Sequence, residues 1–566
     1  MKKFIHQFFL LFKIYWKDPS SNKDWIRIVA VIALTILSVY LSTLFNEWKN
    51  AFYTALQNYN YEQVVKEMYW FCKLAVIAII VSMYAFYLQQ IIALNWRRFL
   101  SNVFIDEWLK DSRYYLAALD KEQSDNPDQR IGEDVRIFIE KTLKFTIGVL
   151  NAVLTLVLFV NILWTLSGVI PITIGGFHFN LHGYIVWIAL LYSFFGTCIT
   201  HLIGYRLNLL NYAQQRFEAD FRYAMMRLKE YAESISLYKG INREKSVLAG
   251  RLIKLLDNFE QIILKERQIT ALKSGYFQMA SIIPVLVGVP LYMKHTINLG
   301  GLMQSASAFT RVTGSLSYFV MLYTEFAEWQ SVVGRLYDFY VHLQTMEENL
   351  RQEKKSYTSG ADHIEISDFV LRRPDLETLF SIEKLALNKG VNTLITGENG
   401  VGKSTFLKAV AGVWPFYSGS ILCPAPEKML FLSQKPYLPL GTLLECISYP
   451  SSSVADEKTV SGYLEYFDLG YLKDKLDKEA DWQTILSLGE QQKIGIIRAC
   501  LMQPEWLVMD EAGANMDTRS LQKAYKYLTE NLPSTIISVG HSADLKSYHA
   551  ICVHVENGEC RVISVP

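Results

Sequence analysis

Long runs without charge mark the first part of the chain. Ile28–Phe45 and Leu74–Leu94 contain no Asp, Glu, Lys or Arg, and neither does the whole stretch between Lys144 and Arg206. About 20 apolar residues at ~1.5 Å each cross a hydrocarbon core ~30 Å thick. A charge at its centre costs about 2.5–3.5 kcal/mol on insertion scales. Each run therefore predicts a membrane-spanning helix. The longest run is too long for one span. It breaks at Pro171-Ile172-Thr173-Ile174-Gly175-Gly176, which predicts a tight hairpin turn between two spans. Ser274–Met293, carrying Pro284 and Pro290, is a fifth span. Leu302–Thr324, interrupted by Arg311, is a sixth whose polarity suits a protein-lined cavity better than lipid.

Between the spans, two segments of helical pattern and high positive charge, Asn95–Lys144 and Arg206–Lys273, read as spans prolonged into the cytosol. The segment before the first span is also basic (Lys2, Lys3, Lys13, Lys17, Lys23, Arg27), whereas Glu47–Lys73, Gly175–His182 and Lys294–Leu299 are poor in positive charge. This alternation places the N-terminus, both long loops and the C-terminal part on the cytosolic side. Phe4, Phe8, Leu11, Phe12 and Tyr15 recur at helical spacing ahead of the first span. Without a cleavage site after them, they predict an interfacial helix lying on the membrane and not a signal peptide.

Beyond Arg335 the pattern turns polar. Residues 1–345 read as the membrane domain, 346–360 as a linker by composition, and 361–566 as an α/β domain. In that domain a short apolar strand, Val391–Thr396, runs into Gly397-Glu398-Asn399-Gly400-Val401-Gly402-Lys403-Ser404-Thr405 and a helix through Gly412. This is the GxxxxGK[ST] pattern in its strand–loop–helix context. Its glycines let backbone N–H groups close around phosphates, and the helix N-terminus favours the anion. Lys403 would reach the β- and γ-phosphates, and the Ser404 hydroxyl would ligand Mg²⁺. A second strand, Trp506–Met509, delivers Asp510 and Glu511 at its end. Adjacent carboxylates there suit one Mg²⁺ ligand and one group polarising an attacking water.

Composition fits this division. Of 566 residues, 51% are hydrophobic and 20% charged, and the mean hydropathy is +0.14. That is too little charge for a wholly solvated surface of this size. The net charge of +1 conceals an asymmetry: 34 Lys+Arg against 28 Asp+Glu before Arg351, and 22 against 27 from there on. The 7 cysteines are scattered, odd in number and never spaced as CxxC. They form neither a zinc site nor a disulfide framework, which suits a reducing compartment. Nothing in the composition calls for nucleic acid.

Between the P-loop and the acidic pair, Leu486-Ser487-Leu488-Gly489-Glu490-Gln491-Gln492 opens a helix through Leu501. This stretch resembles the signature motif of ATP-binding cassette (ABC) ATPases, and other elements follow in register. Gln434 looks like the Q-loop glutamine, Ala514-Asn515-Met516-Asp517 takes the place of the D-loop, and His541 looks like the switch histidine. The resemblance implies a fold of two parts, an all-α six-span transmembrane domain of the exporter type followed by an α/β P-loop ATPase domain. It implies catalytic roles for Glu511, His541 and Gln434, with Mg²⁺ held by Ser404, Gln434 and Asp510. ATP would bind the P-loop residues 397–405 and, across a dimer, Ser487, Gly489, Glu490 and Asp517 of the facing copy. The chain departs from the family's usual D-loop sequence except at Asp517. The aromatic expected to stack on adenine has no clear counterpart, Phe369 and Leu371 occupying that region.

In the membrane half, Asn46-Glu47-Trp48-Lys49-Asn50-Ala51-Phe52-Tyr53-Thr54-Ala55-Leu56-Gln57, Asp125-Asn126-Pro127-Asp128-Gln129-Arg130-Ile131 and Ala232-Glu233-Ser234-Ile235-Ser236-Leu237-Tyr238-Lys239-Gly240 resemble motifs of the SbmA/BacA-like transporters and of the peroxisomal fatty-acyl (D subfamily) transporters. The implied protein is an ATP-driven half-transporter of a bacterial inner membrane, pairing with a second copy and moving a peptide, a cobalamin-like compound or an acyl lipid. A membrane-tethered ABC ATPase with a mechanical or sensory role is the alternative. Asn126–Arg130 and Glu233–Gly240 are the segments expected to couple the ATPase to the spans. For Asn126-Pro127 a helix N-cap with proline at N1 is the plain structural reading, and for Glu233–Gly240 it is a solvated helix face.

Overall fold

The computed structural model describes residues 2–119, 126–174, 177–321, 323–350, 355–451, 453–540, 543–556 and 558–564. It divides into two compact units, Met1–Ile105 with Asn126–Tyr340, and Asp106–Asp125 with Val341–Pro566.

The first unit is built of long helices. After α1 (Lys2–Trp16) come α2 (Asn22–Gln57) and α3 (Tyr61–Leu109); the short α4 (Arg113–Leu119) belongs to the second unit, and the first resumes at α5 (Pro127–Gln129). A π turn, Arg130–Asp134, leads into α6 (Val135–Leu166). Next are α7 (Tyr184–Glu230), α8 (Ala232–Leu237), α9 (Ile241–Met293), α10 (Leu299–Met321) and α11 (Tyr323–Leu350). The predicted hairpin between the third and fourth spans is a β-hairpin, β1 (Val169–Ile174) against β2 (Phe177–His182); Gly175 and Gly176 lie outside the described residues. At 49, 47 and 53 residues, α3, α7 and α9 far exceed a bilayer's thickness, as the helical pattern of the two basic loops predicted.

Five of these helices are long and apolar enough to cross a membrane. The sixth expected span forms as α10 but is too polar to join them. Its apolar face is instead covered by protein: Ala308, Phe309 and Val312 pack with Phe159 and Leu163 of α6 and Ile185 and Ala189 of α7. By contrast α3 leaves Val76, Ile79, Ile80, Met83 and Phe86 exposed, a surface suited to lipid.

The N-terminal helix differs from the expectation. Its aromatic face turns into the bundle, with Leu11 and Tyr15 fully buried. Phe8 meets Phe138 of α6, and Tyr15 stacks on Trp96 of α3 at 5.8 Å. The Tyr15 hydroxyl donates to Asp24, which also accepts from Arg27 and Asn95 and so joins α1, α2 and α3. Only Ile5 and Phe9 are left outward among its large apolar residues. Amphipathic spacing by itself cannot distinguish a lipid surface from a helical one.

The second unit is an α/β domain around a ten-stranded sheet ordered β3-β7-β4-β5-β14-β13-β6-β12-β11-β8. The strands are β3 (Lys355–Ser359), β4 (Ile364–Arg372), β5 (Thr378–Leu387), β6 (Thr393–Gly397), β7 (Tyr417–Cys423), β8 (Met429–Leu432), β11 (Trp506–Asp510), β12 (Thr535–Val539), β13 (Ile551–Glu556) and β14 (Glu559–Ser564). A separate ladder joins β9 (Gly441–Thr442) to β10 (Glu479–Ala480). Six helices, α12 (Lys403–Val410), α13 (Leu443–Ser448), α14 (Glu457–Tyr466), α15 (Trp482–Ile485), α16 (Leu488–Met502) and α17 (Thr518–Asn531), complete it. Strands β8, β11, β12, β6 and β13 run parallel. Both faces of this parallel part are covered: along β11, Leu507 and Met509 join one core while Trp506 and Val508 join the other.

Two boundaries shift from the sequence reading. The stretch taken as linker is largely regular, since α11 continues to Leu350 and Lys355–Ser359 pairs with β7 as an edge strand. Asp106–Asp125, read as membrane domain, belongs to the second unit, where Leu119 of α4 packs against the sheet's core.

Candidate nucleotide site

Three loops at the carboxyl ends of parallel strands bring the predicted residues together, the usual place for a ligand in such a sheet. Strand β6 ends at Gly397, whose φ is +148° and whose position would put a Cβ 2.4 Å from the Val555 carbonyl oxygen. Only glycine fits there, and it turns the chain into the loop. Glu398, Asn399 and Gly400 are exposed, Val401, Gly402, Ser404 and Thr405 half-buried, and Lys403 buried at the start of α12. The loop is closed by Lys403, whose Nζ donates to the carbonyls of Gly397 at 2.7 Å and Glu398 at 2.8 Å. Burial pulls the Lys403 ammonium below its ordinary pKa, and the carboxylates of Glu511 and Asp510 oppose that.

Asp510 ends β11, and its Oδ1 accepts from the Ser404 hydroxyl at 2.8 Å. Burial raises the Asp510 pKa, and the neighbouring Glu511 adds to the rise, against the Ser404 hydrogen bond and the charges of Lys408 and Lys403. A carboxylate so placed gains from a cation. Ser404 and Asp510 are hard oxygen donors of the kind Mg²⁺ prefers, and Mg²⁺ completes its shell with phosphate and water oxygens. No group of three His, Cys, Asp or Glu placed to hold a metal ion occurs among the described residues.

Glu511 sits just past the strand with φ +49°, a left-handed conformation uncommon for a non-glycine residue. Its Oε2 accepts from Gln434 Nε2 at 3.0 Å, Gln434 following β8. The signature segment starts α16: Ser487 is its N-cap, in a capping box with Glu490. A Cβ at Gly489 would lie 2.7 Å from the Asn515 carbonyl oxygen, so this first turn abuts the D-loop. Asp517 caps α17 by accepting from the Ser520 amide at 2.9 Å. His541 lies outside the described residues. Within the one chain, P-loop, Asp510, Glu511 and Gln434 therefore form a connected set, while Ser487, Gly489, Glu490 and Asp517 stand at helix starts with local partners.

Sequence reasoning overlooked Gln492. It is 1% exposed, donates to the Gln434 carbonyl at 2.8 Å and accepts from the Asn515 amide at 3.0 Å. One buried carboxamide thus ties signature helix, Q-loop and D-loop together, and its signal was a glutamine on the apolar face of α16. The adenine platform stays unassigned, because Phe369 and Leu371 are both fully buried in the sheet's core.

Residues 11–293 match the family described as ABC transporter transmembrane region 2, and residues 382–514 match the ABC transporter family. The chain belongs to the ABC transporters. It is 29% identical over 544 residues to the inner membrane ABC transporter ATP-binding protein YddA of Escherichia coli (strain K12), with 96% of each chain covered. To the lysosomal cobalamin transporter ABCD4 of Homo sapiens it is 22% identical over 600 residues, covering 98% of this chain and 95% of that one. A solved bacterial Atm1-family ABC exporter with ATP bound shares the fold, with a TM-score of 0.77, 15% identity, and 97% and 96% coverage. The expected exporter-type half-transporter, its likeness to the D subfamily and its ATP hydrolysis coupled to transport agree with these matches.

Proposed function

We propose that the protein is a homodimeric ATP-driven transporter of a bacterial inner membrane, with N-terminus and ATPase domain in the cytosol. The convergence of Lys403, Ser404, Asp510, Glu511 and Gln434 from three separate loops carries this reading. Lys403 would neutralise the β- and γ-phosphates, the P-loop amides would hold their oxygens, and Ser404, Asp510 and Gln434 would hold Mg²⁺. Bound there, the ion would draw charge from the phosphates in the transition state. Glu511 takes the proton of the attacking water, and Gln434 keeps its carboxylate aimed. His541 contacts the γ-phosphate by analogy with the family's switch histidine. Ser487 and the Gly489 amide, at the start of α16, offer donors to the γ-phosphate bound on the other copy, with Glu490 and Asp517 beside them. The membrane half argues for a moved substrate over a merely tethered ATPase: α10 places Gln304, Ser307 and Arg311 within the spans, where a plain anchor would need only apolar residues.

The substrate is a peptide, a cobalamin-like compound or an acyl-CoA-type lipid. ATPase activity of the lipid-embedded protein, measured against a panel of those three classes, tests this. Stimulation by one class with ATP-dependent movement across the membrane is expected. Hydrolysis indifferent to all three, without movement of any, overturns the transport reading.

A further inference from the structure

Helices α2 and α10 meet along a polar seam inside the helical unit. Asn46 Nδ2 donates to the Gln304 carbonyl at 3.1 Å, and Asn50 Nδ2 donates to Gln304 Oε1 at 2.7 Å. Lys49 Nζ donates to Ser307 Oγ at 3.0 Å. Arg311 lies one turn beyond Ser307, the partner of Lys49, on the same face of α10, and is exposed. Neither makes an ion pair among the described residues. No acidic residue occurs in α10, and the only one in α2 beyond Asp24 is Glu47. Glu47 is exposed and lines a cavity of about 490 Å³ together with Asn50, Gln304, Asn58, Gln63 and Asn298.

Depth makes this pair informative. Arg311 lies 12 residues along α10 from its start at Leu299, about 18 Å at the helical rise and so near the middle of a ~30 Å hydrocarbon core. A lone guanidinium facing lipid there costs about 2.5–3.5 kcal/mol. The buried Oδ1 of Asn46 also has no hydrogen-bond partner. A stable fold tolerates such a cluster where it faces a hydrated path and meets an anion.

We propose that Lys49 and Arg311 form an anion-binding site on the translocation path, taking a carboxylate- or phosphate-bearing solute whose other polar groups hydrogen-bond to Asn46, Asn50, Gln304 and Ser307. This deepens the transport reading by giving the substrate a charge. The probe is 5-carboxyfluorescein, with binding to the full-length chain in phosphatidylcholine nanodiscs followed by fluorescence anisotropy. Saturable binding is expected, weakened at least ~10-fold by Arg311→Gln and by Lys49→Gln and kept within ~3-fold by Arg311→Lys. The cationic dye rhodamine 123 should not follow that pattern. The absence of saturable anion binding overturns the proposal, as does binding indifferent to Arg311→Gln, or loss in Arg311→Lys equal to that in Arg311→Gln. Displacement of the dye when phosphatidylglycerol is added would assign the anion to a lipid headgroup and overturn the solute reading. Binding that responds to the variants as expected, without ATP-driven uptake into vesicles, would leave the site standing and sink the transport reading alone.

Discussion

At the residue scale, Glu511 and Asp510 are neighbours in sequence with different surroundings. Asp510 is tied to Ser404, and Glu511 is turned by a left-handed φ towards Gln434. Glu511→Gln keeps the shape and removes the base, so ATP should still bind while hydrolysis slows at least ~100-fold; nucleotide trapping and phosphate release measure the two separately. Hydrolysis at the parental rate would transfer the role to another group. A second residue sets a pH response. His549 is 5% exposed, with Nδ1 2.7 Å from the Leu545 carbonyl oxygen and Nε2 3.0 Å from Ser538 Oγ. Burial lowers its pKa, so below about pH 6.5 the unfolded chain takes up a proton that the folded one refuses. Stability should therefore be full above that pH and decline as the pH falls through it. The melting temperature of the wild type between pH 7.5 and 5.5 should drop more than that of His549→Gln, and equal drops would rule His549 out as the cause.

At the scale of elements, the coupling segments expected from sequence take definite forms. Asn126-Pro127 starts the short α5, with proline at N1. Beyond it Asp134, 1% exposed, accepts from Arg130 and from Arg335 of α11 at 3.0 and 2.7 Å. Removing the charge from this buried carboxylate weakens its hydrogen bonds to both guanidinium groups, and since the Arg335 side chain is 37% exposed Asp134→Asn should destabilise the helical unit by about 1.5–3 kcal/mol. Detergent-resistant melting would detect the loss, and a shift under ~1 kcal/mol would mean that the pair is solvated. Glu233–Gly240 forms α8 and the turn at the tip of the α7–α9 hairpin, with Leu237 and Tyr238 at 76% and 86% exposure. Large apolar side chains at the end of a charged helix pair call for a partner surface. Leu237→Asp with Tyr238→Asp should cut transport more than ATP hydrolysis at unchanged protein abundance. If both activities fall only in step with folded protein, this tip is an ordinary solvated turn.

At the scale of the molecule, the sequence holds one P-loop and one signature motif. Ser487 bonds to Glu490 within its own capping box and, among the described residues, to none of the P-loop, Asp510, Glu511 or Gln434 side chains. A two-fold dimer supplies both halves of each site through one self-complementary interface. Lys403→Ala and Ser487→Arg should each abolish hydrolysis alone, while mixed subunits should regain activity through one intact composite site. Half-activity in either single variant would exclude shared sites.

What the sequence determined by itself is what contiguous residues decide. Charge-free runs must be helices in lipid because their backbone polar groups have no other partner, and a GxxxxGKST loop bends itself around phosphate wherever a strand and a helix flank it. Spans, P-loop and acidic pair were legible for that reason. Tertiary structure decided whatever depends on residues far apart in the chain. The periodicity of α1 did not reveal that its aromatics cover Trp96 and Phe138, nor did composition show that residues 355–359 complete a sheet edge. Gln492 read as one more polar helix residue until burial made its hydrogen bonds obligatory. Lys49 and Ser307 are 258 positions apart, and only the packing of α2 on α10 brings the Lys49 ammonium to the Ser307 hydroxyl, one turn from Arg311.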